Sequence, residues 1–126
     1  MSTLNFSDQS LTGIHFVGPL TINAARFDDA TLTEVLFQHL ILQDSYFDDA
    51  RLENVLFEDV TLENVSFDDA LLHNVRFTRV CLKNCTFNDA TLNNVTFTDV
   101  LVEGTKSVDE TFHDATLNST DITGIA

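Results

Sequence analysis

A large apolar residue falls at every fifth position from Phe27 to Val102: Phe27, Leu32, Phe37, Leu42, Phe47, Leu52, Phe57, Leu62, Phe67, Leu72, Phe77, Leu82, Phe87, Leu92, Phe97 and Val102. Two residues before each stands a smaller one, Ala or Val except at Leu40, Ser45 and Cys85. The other three positions are mostly polar. With the large residue labelled i, a helix is excluded. At about 100° per residue, five positions advance a helix by about 500°, so successive large residues drift by about 140° and never line one face. A straight strand is excluded as well, because an odd period sends successive large residues to opposite faces. Only i−2 and i share a face, so the chain must turn between pentads. The pattern predicts a coil with an interior, and the hydrophobic share of 44% matches two inward positions in five.

The number of pentads per coil follows from a longer period. Phe27-Asp28-Asp29-Ala30 recurs as Phe47-Asp48-Asp49-Ala50, Phe67-Asp68-Asp69-Ala70 and Phe87-Asn88-Asp89-Ala90. Val35, Val55, Val75 and Val95 agree, as do Asn54, Asn74 and Asn94. A four-pentad repeat predicts a four-sided coil, with Phe on two opposite walls and Leu on the other two. On these residues the chain resembles the pentapeptide-repeat proteins. That resemblance implies a right-handed quadrilateral parallel β-helix, all-β, of about five to six coils in one domain over residues 1–126. Coils about 4.8 Å apart give a solenoid about 25–30 Å tall. One departure stands out. The family carries Asp or Asn at i−1, whereas here only the ends do so (Asn5, Asp121); elsewhere i−1 is mostly Thr, Arg, Leu or Ser, and Asp or Asn moves to i+2.

The register breaks twice. Phe6, Leu11 and Phe16 lie one residue out of phase with Ile22 and Phe27, and Gly18-Pro19 stands between them. A one-residue insertion near 17–20, at a corner or bulge, is expected there. Later, Phe112-His113-Asp114-Ala115-Thr116-Leu117-Asn118 matches Phe87-Asn88-Asp89-Ala90-Thr91-Leu92-Asn93 at an offset of five pentads rather than four. Either five residues within 103–110 loop out, so that Phe112 stacks on Phe87, or the chain turns one further wall and the columns mismatch. The loop is the expectation. No helical cap is evident at either end. The apolar C-terminal segment makes Ile122 and Ile125 the candidate end for a homodimer, which dimerisation of some relatives through C-terminal coils supports.

Charge narrows the partners. Twenty acidic residues against six basic ones leave a net charge of −14. Direct binding to nucleic acid or to an anionic membrane is not expected, because phosphate would be repelled. No apolar run approaches the ~18 residues of a membrane span, and MSTLNFSDQS lacks the marks of a signal peptide. Cys81 is read as outward and Cys85 as inward on different walls, so both are expected to be free thiols in a reducing compartment, and a cytoplasmic location is expected.

The sequence presents no recognisable arrangement of catalytic residues. No CxxC or HExxH spacing exists, and His15, His39, His73 and His113 fall in different columns. No catalytic, cofactor or metal site is expected. Arg79 is placed between Asp59 and Asp99, Lys83 between Glu63 and Glu103, and His73 after Glu53, as small stabilising pairs. Two surfaces remain. Asp28, Asp29, Asp48, Asp49, Asp68, Asp69, Asp89 and, with the loop, Asp114 gather along one corner. Asp is a good turn former, so the corner is either merely solvated or an anionic edge that binds a basic surface or loosely holds cations. Leu36, Ile41 and Leu56 form an outward apolar candidate contact. The expected function is a non-catalytic protein–protein interaction scaffold. The alternative, implied by the family resemblance, is a DNA mimic that binds DNA gyrase, as some bacterial relatives do when they protect it from quinolones or toxins.

Overall fold

In the computed structural model, which describes residues 4–126, the turn demanded by the five-residue period is made at i+2. Nineteen non-glycine residues have positive φ, all at that position, and fourteen of them are Asp or Asn. A left-handed φ crowds Cβ against the following carbonyl, and Asx side chains tolerate it best. This is the physical reason that Asp and Asn stand at i+2. Gly13 (φ 67°) and Gly104 (φ 91°) occupy the same position on other coils.

Short and long strands alternate along the chain: β1 (Ser10–Thr12), β2 (His15–Asn23), β3 (Thr31–Thr33), β4 (Leu36–Gln43), β5 (Arg51–Glu53), β6 (Leu56–Glu63), β7 (Leu71–His73), β8 (Arg76–Lys83), β9 (Thr91–Asn93), β10 (Thr96–Glu103) and β11 (Thr116–Asn118). All pairings are parallel, in a six-stranded sheet β1-β3-β5-β7-β9-β11 and a five-stranded sheet β10-β8-β6-β4-β2. Each long strand covers two walls, bending at its left-handed residue (His39, Asp59, Arg79 and Asp99 in β4, β6, β8 and β10). The fourth wall is held by single bridges from Arg26 to Tyr46, Ser66 and Thr86 in turn. The result is a four-walled β-solenoid of about five turns.

All eleven phenylalanines form two ladders inside it. Phe6, Phe27, Phe47, Phe67, Phe87 and Phe112 stack on one wall, and Phe16, Phe37, Phe57, Phe77 and Phe97 on the wall opposite. Rings within a ladder lie 4.7–5.2 Å apart, and the ladders meet edge to face, as at Phe27–Phe37 (5.9 Å, 84°). Both geometries suit the aromatic quadrupole. Leu32, Leu52, Leu72 and Leu92 fill one remaining wall, and Ile22, Leu42, Leu62 and Leu82 the other. The one buried polar side chain at i−2 among the described residues is satisfied: Ser45 Oγ accepts from the Ala25 amide (3.0 Å) and donates to the Gln43 carbonyl (2.8 Å).

At the first break, β2 pairs with β4 at an offset that changes between Val17 and Leu20, where a cis Gly18–Pro19 bond lies. At the second, β11 pairs with β9 at the longer offset, and Phe112 stacks on Phe87 at 4.8 Å. The intervening residues contain a single helical turn, α1 (Val108–Thr111), where the sequence pattern anticipated only loop. Its Ser107 and Glu110 form a reciprocal capping box, with Ser107 Oγ accepting from the Glu110 amide (3.1 Å) and Glu110 Oε1 accepting from the Ser107 amide (2.9 Å). The S-x-x-E spacing was a readable signal for it. α1 returns the chain to the wall at Thr111, whose carbonyl accepts the Phe87 amide (2.9 Å).

The C-terminal segment lies on β10, with the Ala126 amide donating to Val100 (3.2 Å) and the Val102 amide donating to Ala126 (2.7 Å). Ile125 is buried and Ile122 half-buried against the core. The two residues expected to form a dimer end are therefore turned into their own chain's core. At the opposite end Phe6, Leu11 and Phe16 are half-buried, and Leu20 is exposed. No helix among the described residues is long and apolar enough to cross a membrane.

Candidate functional site

The acidic corner is one turn repeated six times. In each, the amide of the fourth residue donates to the carbonyl of the first: Gln9 to Phe6, Ala30 to Phe27, Ala50 to Phe47, Ala70 to Phe67, Ala90 to Phe87 and Ala115 to Phe112, all at 3.1 Å. The third residue is left-handed and always aspartate: Asp8, Asp29, Asp49, Asp69, Asp89 and Asp114. All six are exposed, so stacking produces a column of six carboxylates along one edge. Asp8 was not among the residues the sequence pattern gathered. It is offset by the extra residue near Pro19, and the signal was Phe6-Ser7-Asp8 aligned with Phe27-Asp28-Asp29.

The second residues, Asp28, Asp48, Asp68 and Asn88, are half-buried and mostly engaged. Arg26 pairs with Asp28 (2.7 Å) and lies over the Tyr46 ring, while the other Asp28 oxygen, Oδ1, is buried without a hydrogen-bond partner. The Ser66 hydroxyl donates to Asp48, and the Asn88 amide donates to Asp68 (2.9 Å). Asp48 and Asp68 tie neighbouring coils together and Asp28 is held by Arg26 within its own coil, so the column that is free to meet a partner is the third-residue one.

Crowding shows in the proton affinities. The carboxyls of Asp29 and Asp69 are held above their ordinary range, first by desolvation at the corner and then by neighbours: Asp49, Asp8 and Asp28 for Asp29, and Asp49, Asp89 and Asp68 for Asp69. Asp48 is raised too, chiefly by burial, with the Ser66 hydrogen bond opposing. An aspartate whose folded-state pKa is raised binds protons more readily in the folded than in the unfolded chain. Its ionisation therefore opposes folding at pH 7, and the penalty is relieved as pH falls through the raised value.

The other surfaces are less continuous. Leu36 and Leu56 stack on each other, half-buried, with His15 below and Arg76 above, while Ile41 lies on the next wall between Thr21 and Thr61. The three do not form one patch. Arg79 turns entirely to one side, donating to Asp59 (2.6 Å) and Glu58 (3.1 Å), and Lys83 pairs with Glu63 (3.6 Å). His73 makes no ion pair with Glu53 among the described residues. Both cysteines are free. Burial, then Glu103, which accepts the Cys81 thiol (2.8 Å), pushes that thiol up to about 12; burial pushes Cys85 up to about 11. Among the described residues no group of three or more His, Cys, Asp or Glu is arranged to hold a metal ion. A shallow groove beside α1 is lined by Asn88, Lys106, Asp109, Glu110 and His113.

A four-walled β-solenoid of stacked pentads, edged by identical acidic turns, is the class these features define. Two family models match it: a pentapeptide repeat region over residues 50–126, and pentapeptide repeats (8 copies) over residues 23–64. The chain belongs to the pentapeptide-repeat family. Among solved structures it is similar to a trypsin-treated form of QnrB1, a plasmid-mediated fluoroquinolone resistance protein, at 14% identity and a TM-score of 0.47, over 91% of this chain and 56% of that one. It is also similar to Rfr23 from the cyanobacterium Cyanothece 51142 (12% identity, TM-score 0.47, 98% of this chain and 87% of that one). A pentapeptide repeat protein from the Arabidopsis thaliana thylakoid lumen is a further similar structure (19%, TM-score 0.38, 95% and 66%). The chain thus spans little more than half the length of QnrB1. No curated protein sequence matches it.

Proposed function

We propose that this protein is a non-catalytic interaction scaffold whose acidic edge is recognised by a basic protein surface. The observation that carries this is the unbroken column Asp8, Asp29, Asp49, Asp69, Asp89 and Asp114, exposed at successive levels. A turn needs a residue that accepts positive φ, and asparagine would serve as well. At this corner the residue is aspartate at every level, whereas at another corner Asn54, Asn74 and Asn94 take the left-handed position. Like charges stacked one coil apart repel, and a cationic partner would relieve that repulsion while the net charge of −14 steers its approach. Mimicry of duplex DNA before a gyrase is the narrower form of this function.

The double substitution Asp49→Asn with Asp69→Asn separates a functional edge from a solvated turn. Asparagine keeps the left-handed backbone and removes two repelling charges. The variant should therefore melt above the wild type at pH 7, with the difference closing as pH falls toward the ordinary aspartate value of 3.8. If the edge binds, the same more stable variant should capture less basic protein from a bacterial lysate and show a flatter salt dependence. In a gyrase supercoiling assay at two salt concentrations, inhibition by the wild type that salt weakens, and that the variant lacks, would support the narrower form. Equal capture and an unchanged salt slope would remove the edge from the function.

A further inference from the structure

The wall diagonally across the coil from the acidic edge carries three outward columns, each with its own pattern. At i−1 stand Ile41, Thr61, Cys81 and Leu101; at i+1, Gln43, Glu63, Lys83 and Glu103. The corner beside them carries His39, Asp59, Arg79 and Asp99. Above Thr21 of β2, the first column carries large residues at Ile41 (39% exposed) and Leu101 (49% exposed), with the small, half-buried Thr61 and Cys81 between them. Both charged columns alternate in sign at their centres. Because Arg79 is drawn to Asp59 and Glu58, Asp99 has no hydrogen-bond or ion-pair partner among the described residues.

We propose that two copies of this chain associate side by side through this wall, antiparallel. The two-fold axis lies in the interface, parallel to the strands and midway between β6 and β8. Such an axis sets each column against the same column of the second copy with its order reversed. Ile41 then meets Leu101 of the second copy, and Thr61 meets its Cys81. Asp59 meets Arg79, His39 meets Asp99, Glu63 meets Lys83, and Gln43 meets Glu103. The three columns agree on one level. An axis on β8 would set Asp59 against Asp99, Glu63 against Glu103 and Thr61 against Leu101, and an axis on β6 would set Asp59 and Glu63 against themselves. Charge complementarity of this kind fixes register, and the paired apolar ends supply desolvated contact. Both acidic edges face outward in the pair, so the association is independent of the edge and its partner.

A contact spanning four coils of one wall is smaller than the ~1,600 Å² of a standard interface, so the association is weak and favoured by salt that screens the net charge. Sedimentation equilibrium of the full chain at about 0.15 M salt, up to about 500 µM, should show mass rising from 14.1 kDa toward twice that value. Ile41→Lys alone and Leu101→Glu alone should each remain monomeric, with unchanged circular dichroism because both positions are exposed. An equimolar mixture of the two should dimerise again. In the mixed pair the introduced lysine meets the introduced glutamate at one end, while native Leu101 meets native Ile41 at the other. A wild type that stays monomeric throughout, a dimer that survives either single substitution, or a mixture that fails to recover it would each overturn the proposal. Survival would point instead to the solenoid ends.

Discussion

Replacing Phe57 by alanine should destabilise the protein by about 3–5 kcal/mol, the range for emptying a fully buried aromatic site. Phe57 is wholly buried, stacked between Phe37 (4.7 Å) and Phe77 (4.8 Å), and edge-on to Phe47 and Phe67 at 6.1 Å. Its removal leaves a void at mid-height that the walls cannot close, because each wall is fixed by hydrogen bonds to the coils above and below. In a solenoid each coil is stabilised by its neighbours, so the damage falls on two coil–coil interfaces at once. Phe97→Ala, at a half-buried rung near the end of the same ladder, should cost clearly less. Urea denaturation of the two variants measures the difference. Equal costs would mean that the ladders do not carry the coil-to-coil stability.

The second large effect is expected at Gly18. A Cβ added there would overlap the His39 carbonyl oxygen and the Leu20 nitrogen, both backbone atoms of the bulge and of the neighbouring coil. No side chain can swing aside to relieve that contact. Gly18→Ala should cost about 1–3 kcal/mol, as overpacking does. The loss should be local, since the first coil has a neighbour on one side only among the described residues. Hydrogen exchange should accelerate across His15–Asn23 and leave β6 to β10 unchanged. Gly124→Ala, where an added Cβ meets nothing within 4 Å, is the matched control and should alter neither. Protection of β2 that persists in Gly18→Ala would mean that the bulge can move.

These sites differ in how plainly the sequence announces them. The ladders are legible because an inward position at every coil admits only a large apolar residue, and repetition does the rest. The acidic turns were legible as a column, although Asp8 was lost to the single extra residue near Pro19. α1 was missed for a different reason. Ser107 and Glu110 stand where the pentad calls for apolar core residues, and their chemistry is that of a helix start. Leu36 and Leu56 are adjacent in the pattern and easily read together, whereas the exposed Ile41 and Leu101 stand in one column three coils apart. The apolar C-terminal residues looked like an outer surface, since a sequence does not show that Ile125 turns back beneath β10. Periodicity reveals what every coil must do, and it is silent where a coil does something once.

Through most of the solenoid each ladder rung joins residues twenty positions apart, as Phe37 joins Phe57 and Phe57 joins Phe77. Each coil thus closes a loop of the same size, and no coil has an entropic head start over another. Formation can begin at any level where two turns meet and spread both ways as a zipper. The segment carrying α1 hardly disturbs this. Lengthening one closure from twenty to twenty-five residues, as between Phe87 and Phe112, adds only about 0.2 kcal/mol. The chain can hold a whole extra pentad on its surface at that level and leave the order of its folding untouched.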